Sequence, residues 1–340
     1  MALFGKQLIA IDLGTTNTLI AIHKKGIALR EPSLIAVKKG TSEVVAYGDE
    51  ALELVGRVSA DYEVVRPIQE GVIDNFHLTK KMLATYIMKA LKSTRVNCEV
   101  VISVPSNITK VERKALVDVL REIGIHRAMI VDEVTVSALG MDMDITQPVG
   151  KMVLNIGGGK TSAGILSYNE IIQHDTIKVG GFDMDQAIID RVREHYNLII
   201  SQDTAERLKL ALGTAKYEKL DDQDDMEVRG LSVATGVPST ARVSVKVVSG
   251  AVDRQVDRII QVCKSVLETI QPELASDILD TGIYVTGGVA LLRRLPERLQ
   301  SELGLKVTLS AHPFDDVVNG TVKLLQDLRV ESKRVERSRR

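Results

Sequence analysis

One short pattern occurs twice in this chain, and the repetition constrains the fold more than any other feature. Residues 9–22 read IAIDLGTTNTLIAI and residues 152–165 read MVLNIGGGKTSAGI. Each is an apolar, β-rich run, a turn of glycine and hydroxyl residues, and a second apolar run, the signature of a β-hairpin. Registered on the turn, Asp12 matches Asn155, Gly14 matches Gly157 and Thr18 matches Thr161. Glycine lets backbone N–H groups approach an anion closely, and threonine hydroxyls add donors. Two such hairpins facing each other are expected to clamp a polyphosphate from both sides.

A larger grammar repeats around them. After the first hairpin, GIALREPSLIAVKKGTSEVVAYGDEALELVG predicts more strands and a short helix, a small insertion over about residues 30–75. RPIQEGVIDNF, with Pro67 and Gly71, is the return connection. LTKKMLATYIMKALKS places Met82, Ile87, Ala90 and Leu91 at helical spacing, NCEVVISVPS predicts a strand, and NITKVERKALVDVLREIG predicts a helix capped by Asn107 or Thr109. AMIVDEVTVSALGM is a strand leading into a helix. The second half runs hairpin 152–166, strand IIQHDTIKV, a helix opened by Gly180–Gly181, a helical insertion 203–216, polar strands to about residue 249, a long helix 251–270, strand IYVT, and a helix opened by Gly287–Gly288. Two βαβ-type halves, each with an insertion, predict two α/β domains with a cleft between them, which suits a length of 340 residues.

Composition removes several classes. A formal net charge of −1 gives no electrostatic footprint for nucleic acid. Cys98 and Cys263 have neither metal-ligand spacing nor a nearby partner, so buried reduced thiols are expected. No apolar run reaches membrane-spanning length and the start carries no signal-peptide core, which predicts a cytoplasmic protein. The segment MALFGKQLIA is either a lead-in to the first strand or, through Leu3 and Phe4, a small interfacial anchor that needs several copies side by side. The tail ESKRVERSRR carries five basic side chains, a solvated end or a patch attracted to anionic lipid.

Taken in order, IDLGTTNTLI, REPSLIAV, RPIQEGVI, VPSNITKVERKAL, the Glu133 segment, the VGG at 179–181, EVRGLSVATGVPST and YVTGGVALLRRL resemble the actin superfamily, and within it the bacterial MreB/Mbl group, over nearly the whole chain. The resemblance implies an α/β actin-like fold: two duplicated domains with insertions, four subdomains around a nucleotide cleft. These are residues 1–30 with 76–148 and 315–335, 31–75, 149–185 with 250–314, and 186–249, followed by a basic tail at 331–340. It also implies ATP or ADP with Mg²⁺ in the cleft, and self-assembly into filaments, paired ones, that scaffold cell-wall synthesis at the inner face of the membrane with wall or morphogenesis proteins as partners.

Carried over by position, Asp12, Gly14, Thr15, Thr16 and Asn17 match the first phosphate loop, and Gly157, Gly158, Gly159, Lys160 and Thr161 the second. Glu206 and Lys209, with Arg207 and Leu208 between them, match the helix that touches ribose and base, and Gly287, Gly288, Val289 and Ala290 match the adenosine turn. Glu133 occupies the place of the side chain that orients the attacking water, with Lys160 and Thr161 beside it as catalytic candidates; Asp12 and Asn155 are the Mg²⁺ candidates.

The chain departs from the family pattern where chemistry is done. Asn155 stands where an Asp is usual, Lys160 where a Thr is usual, Val134 follows the catalytic Glu in place of Pro, Phe182–Asp183 replaces a polar pair, and Val289 replaces a third Gly. The first two add about two positive charges; a unit charge at ~4 Å is worth ~4 kcal/mol at an effective dielectric near 20, before desolvation. Lys160 is expected to contact nucleotide or Glu133, and slow hydrolysis follows. Three other functions compete. A scaffold paralogue would bind ATP and barely hydrolyse it. A sugar kinase would need a cleft Asp as base, for which the sequence offers no candidate. A P-loop NTPase would need glycine at position 154, where the chain has Leu154.

Overall fold

The computed structural model describes residues 7–325, which form two compact units: 7–147 with 168–170 and 314–325, and 148–167 with 171–313. The Leu3/Phe4 segment and the basic tail lie outside the described residues.

The first unit opens with β1 (Gln7–Leu13), β2 (Asn17–Ile22) and β3 (Gly26–Pro32), antiparallel neighbours. β4 (Ile35–Lys38), β5 (Val44–Tyr47), α1 (Gly48–Glu53) and β6 (Tyr62–Val65) follow, with the three strands forming a separate sheet. A short hairpin, β7 (Ile68–Gln69) and β8 (Val72–Ile73), leads to α2 (Phe76–Leu91), β9 (Cys98–Val104), α3 (Lys110–Glu122), β10 (Ala128–Asp132) and α4 (Glu133–Gly140). The main sheet has the order β10-β9-β1-β2-β3, with β9 parallel to β1 and to β10. Alternation along β1 sends Ile9, Ile11 and Leu13 into the core with α2 and α3, and Ala10 into the core with α4 and a helix at 316–325. That second face is close-packed: a Cβ on Gly320 would lie 1.7 Å from the Val136 carbonyl oxygen, which fixes α4 and hence its first residue, Glu133.

The second unit contains β11 (Lys151–Ile156), β12 (Thr161–Ser167), β13 (Glu170–Ile177), α5 (Gly181–Tyr196), β14 (Leu198–Ile199) and α6 (Gln202–Leu212). It continues with β15 (Asp225–Ser232), β16 (Pro238–Ser244), α7 (Val245–Leu267), α8 (Pro272–Thr281), β17 (Ile283–Thr286), α9 (Leu295–Leu303) and β18 (Val307–Leu309). Its main sheet, β13-β12-β11-β17-β18, repeats the first strand for strand, with β11–β12 antiparallel and β17 parallel to β11 and β18. The duplication seen in two hairpins therefore extends to whole sheets.

Several boundaries differ from the sequence reading. α7 begins at Val245, not 251: the β-branched run VKVV looks like strand, yet Val245, Val248, Val252, Val256 and Ile259 are buried at helical spacing. α6 stops at Leu212 rather than 216, because Gly213 turns extended and its Cβ position lies 2.3 Å from the Lys209 carbonyl oxygen. Gly288 opens one 3₁₀ turn, Gly288–Leu291, and the following helix starts only at Leu295. α8 is an addition to the predicted elements; it buries only Ile278 fully and so has little periodic signal. Thr109, not Asn107, caps α3, in a reciprocal capping box with Glu112. Both cysteines are buried and outside any disulfide, and burial pushes the Cys263 thiol up to about 12. Among the described residues no helix is long and apolar enough to cross a membrane.

Candidate functional site

Both hairpins close at the same register. Leu13 pairs with Thr18, leaving residues 14–17 as the turn, and Ile156 pairs with Thr161, leaving 157–160. Inside each turn the first glycine donates to the fourth carbonyl, Gly14 N–H to Asn17 at 3.1 Å and Gly157 N–H to Lys160 at 2.9 Å. Asp12, Gly14, Thr15, Thr16 and Asn17 thus correspond to Asn155, Gly157, Gly158, Gly159 and Lys160. The antiparallel return on β12 also removes the P-loop reading, which requires strand, loop and helix.

The carbonyl side of each turn is held by the surrounding fold. In the first, Ser33 Oγ donates to the Gly14 carbonyl at 2.6 Å, Ser33 N–H to Thr16 at 2.9 Å, and Arg66 to Thr15 at 3.2 Å. The Thr15 hydroxyl accepts from Gly71 N–H at 2.9 Å, so it fixes the loop. In the second, the N-terminal N–H groups of α5 do this work: Gly181 donates to Gly157 at 3.0 Å and Phe182 to Gly158 at 2.8 Å. A Cβ on Gly180 would fall 2.6 Å from both carbonyl oxygens, so only glycine permits that approach. Asp183 accepts from Gly180 N–H at 2.9 Å, and Thr161 donates to the Val179 carbonyl at 2.8 Å. Among the described residues the N–H groups of Thr15, Thr16, Gly158 and Gly159 donate to no protein acceptor, and the Thr16 hydroxyl is buried without a partner. Turns that point spare backbone amides outward have the geometry of anion-binding nests.

In the second unit, Gly158, Gly181, Lys209 and Val289 meet. A Cβ on Gly181 would lie 3.2 Å from Lys209 Nζ, 3.3 Å from Val289 Cγ2 and 3.7 Å from Gly158 Cα. Lys209 is an ion-pair partner of the buried Asp185 at 2.7 Å and donates to the Gly181 carbonyl at 3.0 Å. Its ammonium ties α6 to the start of α5. Glu206 and Arg207 are exposed on α6, where Arg207 pairs with Asp203 at 3.3 Å. The Leu208 side chain is fully buried in the core. Gly287 has φ +89, and its N–H donates to the Pro313 carbonyl at 3.1 Å; Val289 and Ala290 are buried behind it.

Asp12, the last residue but one of β1, is half-buried and accepts a long hydrogen bond from Ser103 at 3.4 Å, and Asn155 holds the equivalent place, buried, in β11. Among the described residues no three His, Cys, Asp or Glu side chains form a metal cage. Mg²⁺ bound with a nucleotide needs none, since one or two protein oxygens suffice when phosphate and water complete the shell. Asp12 in the first unit supplies a carboxylate of the kind that chemistry uses, and Asn155 in the second a neutral oxygen donor. Lys160 is buried rather than a solvated surface lysine. Glu133 is the first residue of α4, and the capping there is done by Asp132, which accepts from Val134 N–H at 2.9 Å and Ser106 Oγ at 2.7 Å. Ser33, Arg66 and Asp185 were not among the expected site residues. The REPSLIAV and RPIQEGVI stretches contain the first two, and their contacts to the turn are tertiary.

A family model described as MreB/Mbl protein matches residues 6–333. The chain is similar to the cell shape-determining protein Mbl of Bacillus subtilis (strain 168), 37% identical over 321 residues that cover 94% of this chain and 96% of that protein. It is similar to the cell shape-determining protein MreB of Escherichia coli (strain K12), 35% identical over 330 residues, 95% and 94% of the two chains. Among solved structures it resembles MreB5 of Spiroplasma citri bound to ADP, with a TM-score of 0.91, 30% identity, and 96% and 98% coverage. It resembles the same protein bound to AMPPNP with a TM-score of 0.90, 31% identity, and 98% and 99% coverage. The fold is the actin-like α/β fold expected from the sequence.

Proposed function

The chain belongs to the MreB/Mbl family, and from that premise we propose that it is an ATP-binding bacterial actin homologue that polymerises into membrane-associated cytoskeletal filaments controlling cell shape and cell-wall synthesis. One observation carries the nucleotide reading: two topologically equivalent turns leave their Thr15, Thr16, Gly158 and Gly159 amides spare while the surrounding fold holds the neighbouring carbonyls. Relatives of known structure hold ADP and AMPPNP, which supports the same class of ligand here.

In this reading the spare amides and the Thr16 hydroxyl take phosphate oxygens, and Gly287 and Gly288 let the backbone pass close to the nucleoside. Asp12 and Asn155 hold Mg²⁺, which when bound neutralises phosphate charge. Glu133 orients the attacking water, and Lys209, braced by Asp185, sets the position of α6. Residues 31–75 and 186–249 are the two insertions that complete four subdomains. The polar but uncharged Asn155 and the buried Lys160 favour a second reading, a filament-forming paralogue that binds ATP and hydrolyses it very slowly.

Filament formation follows from head-to-tail contacts that do not close into a ring, and Leu3 and Phe4, assisted by the basic tail, attach the polymer to anionic membrane beside wall-synthesis or morphogenesis proteins. ATP-dependent pelleting with electron microscopy tests this, run with and without anionic liposomes. Filaments are expected, with liposome recruitment lost on deleting residues 2–5. Monomer alone across nucleotide, salt and protein concentrations would refute assembly, and recruitment surviving the deletion would place the anchor elsewhere.

A further inference from the structure

A hollow of about 600 Å³ opens in the second unit, and none of the residues assigned to the nucleotide lines it. Basic side chains converge on it from four segments: Arg191 and His195 on α5, Lys216 after α6, Lys246 on α7 and Arg298 on α9. Its one acidic lining residue, Asp253, is taken by Arg298 at 3.7 Å, which also pairs with Asp257 at 2.9 Å and Glu302 at 3.3 Å. Arg298 is therefore neutralised within the protein. The side chains of Arg191, Lys216 and Lys246 have no hydrogen-bond or ion-pair partner among the described residues. Unneutralised charges of one sign on a concave surface repel one another and concentrate counter-ions, and a bound anion relieves that repulsion.

The size narrows the ligand. Small-molecule sites occupy roughly 300–1,000 Å³, so this hollow holds more than a single inorganic ion. Ala215 and Val247 add apolar surface to its wall. We propose that it is a second ligand site, distinct from the nucleotide site, for a phosphorylated organic molecule carrying at least two negative charges. Arg191 supplies the planar fork that grips a phosphate bidentately, Lys216 and Lys246 supply point charges, and the apolar wall takes the organic part. The proposal does not rest on the nucleotide reading, since every residue in it lies outside that set.

The test titrates fructose 1,6-bisphosphate calorimetrically into full-length protein saturated with Mg²⁺–ADP, so that phosphate entering the nucleotide site is not what is read. Saturable binding is expected, at least tenfold weaker in Arg191→Ser/Lys216→Ser/Lys246→Ser and retained in the charge-conserving Lys216→Arg/Lys246→Arg. Thermal melts check folding; should the triple variant not fold, Lys246→Glu alone, at an exposed position, is expected to weaken binding. Parallel sedimentation with phosphatidylglycerol vesicles separates the two sources of this chemistry. Retention lost in the triple variant identifies a lipid headgroup, and retention unchanged identifies a soluble phosphate. No saturable binding by the wild type, or equal affinity in the serine variant, overturns the proposal.

Discussion

Restoring the family pattern at two positions, Asn155→Asp with Lys160→Thr, is expected to speed phosphate release from ATP about a hundredfold, ~2.7 kcal/mol of barrier. Asn155 occupies the place in β11 that Asp12 occupies in β1, and it is buried. A carboxylate there would order Mg²⁺ waters that an amide holds loosely. It would also be costly to bury without the cation, so the Asp variant should be less stable without nucleotide and more dependent on Mg²⁺. Lys160 is buried at the end of its turn; in the proposed reading a hydroxyl there would help orient the water held by Glu133. An ammonium there repels protons and offers no acceptor, so the water is poorly aligned. On this basis Glu133→Ala changes turnover little in the native background and greatly in the double variant. Steady-state phosphate release in the four proteins reads all of this. A double variant slower than the parent would make Lys160 a stabiliser of developing phosphate charge.

Gly287→Val is expected to cost nucleotide affinity more than a hundredfold, or over ~2.7 kcal/mol. Gly287 sits at φ +89, a conformation that L side chains rarely adopt, and its missing Cβ would lie 2.3 Å from the Ile156 carbonyl oxygen and 2.5 Å from Asn155 Oδ1. A side chain here pushes the Gly287 turn off the end of β11 and displaces Asn155 in the same movement; in the proposed reading, nucleoside and metal positions are then lost together. Val289, two residues on, shows the contrast. Its backbone is not in the left-handed region and its side chain reaches towards Gly181. Val289→Gly should therefore leave affinity within about threefold. Fluorescent-nucleotide titration of both variants, with a thermal melt to confirm folding, decides between a local requirement and a general one.

What could be read from the sequence, and what could not, divides along physical lines. The hairpins were legible because strand alternation and glycine turns are local, and the register Asp12–Asn155, Gly14–Gly157, Thr18–Thr161 reappears in the pairing of β1 with β2 and β11 with β12. Cys98 and Cys263 were legible as inert thiols because each lies in an apolar strand or helix. The start of α7 was misread since β-branched residues satisfy both periods over four positions. Leu208 was placed with its neighbours by motif alone, whereas its helix face turns it into the core. Ser33, Arg66 and Asp185 are not legible in the sequence because their roles are defined by what they touch: one turn and one ammonium, at separations of 15 or more residues in the chain. The spare amides are equally invisible in sequence, since they emerge only when every carbonyl and N–H around the turns has been assigned.

Equilibrium titration of Mg²⁺–ATP against the native chain and Asp12→Ala bears most directly on the claim that the duplicated hairpins hold the nucleotide's phosphates and metal. Asp12 is half-buried near the end of β1, and the substitution leaves the turn's own hydrogen bonds from Ser33 and Arg66 in place. Saturable binding by the native chain, weakened at least tenfold or ~1.4 kcal/mol in the variant, is the expected result. The same affinity for Mg²⁺–ATP in both proteins would contradict it.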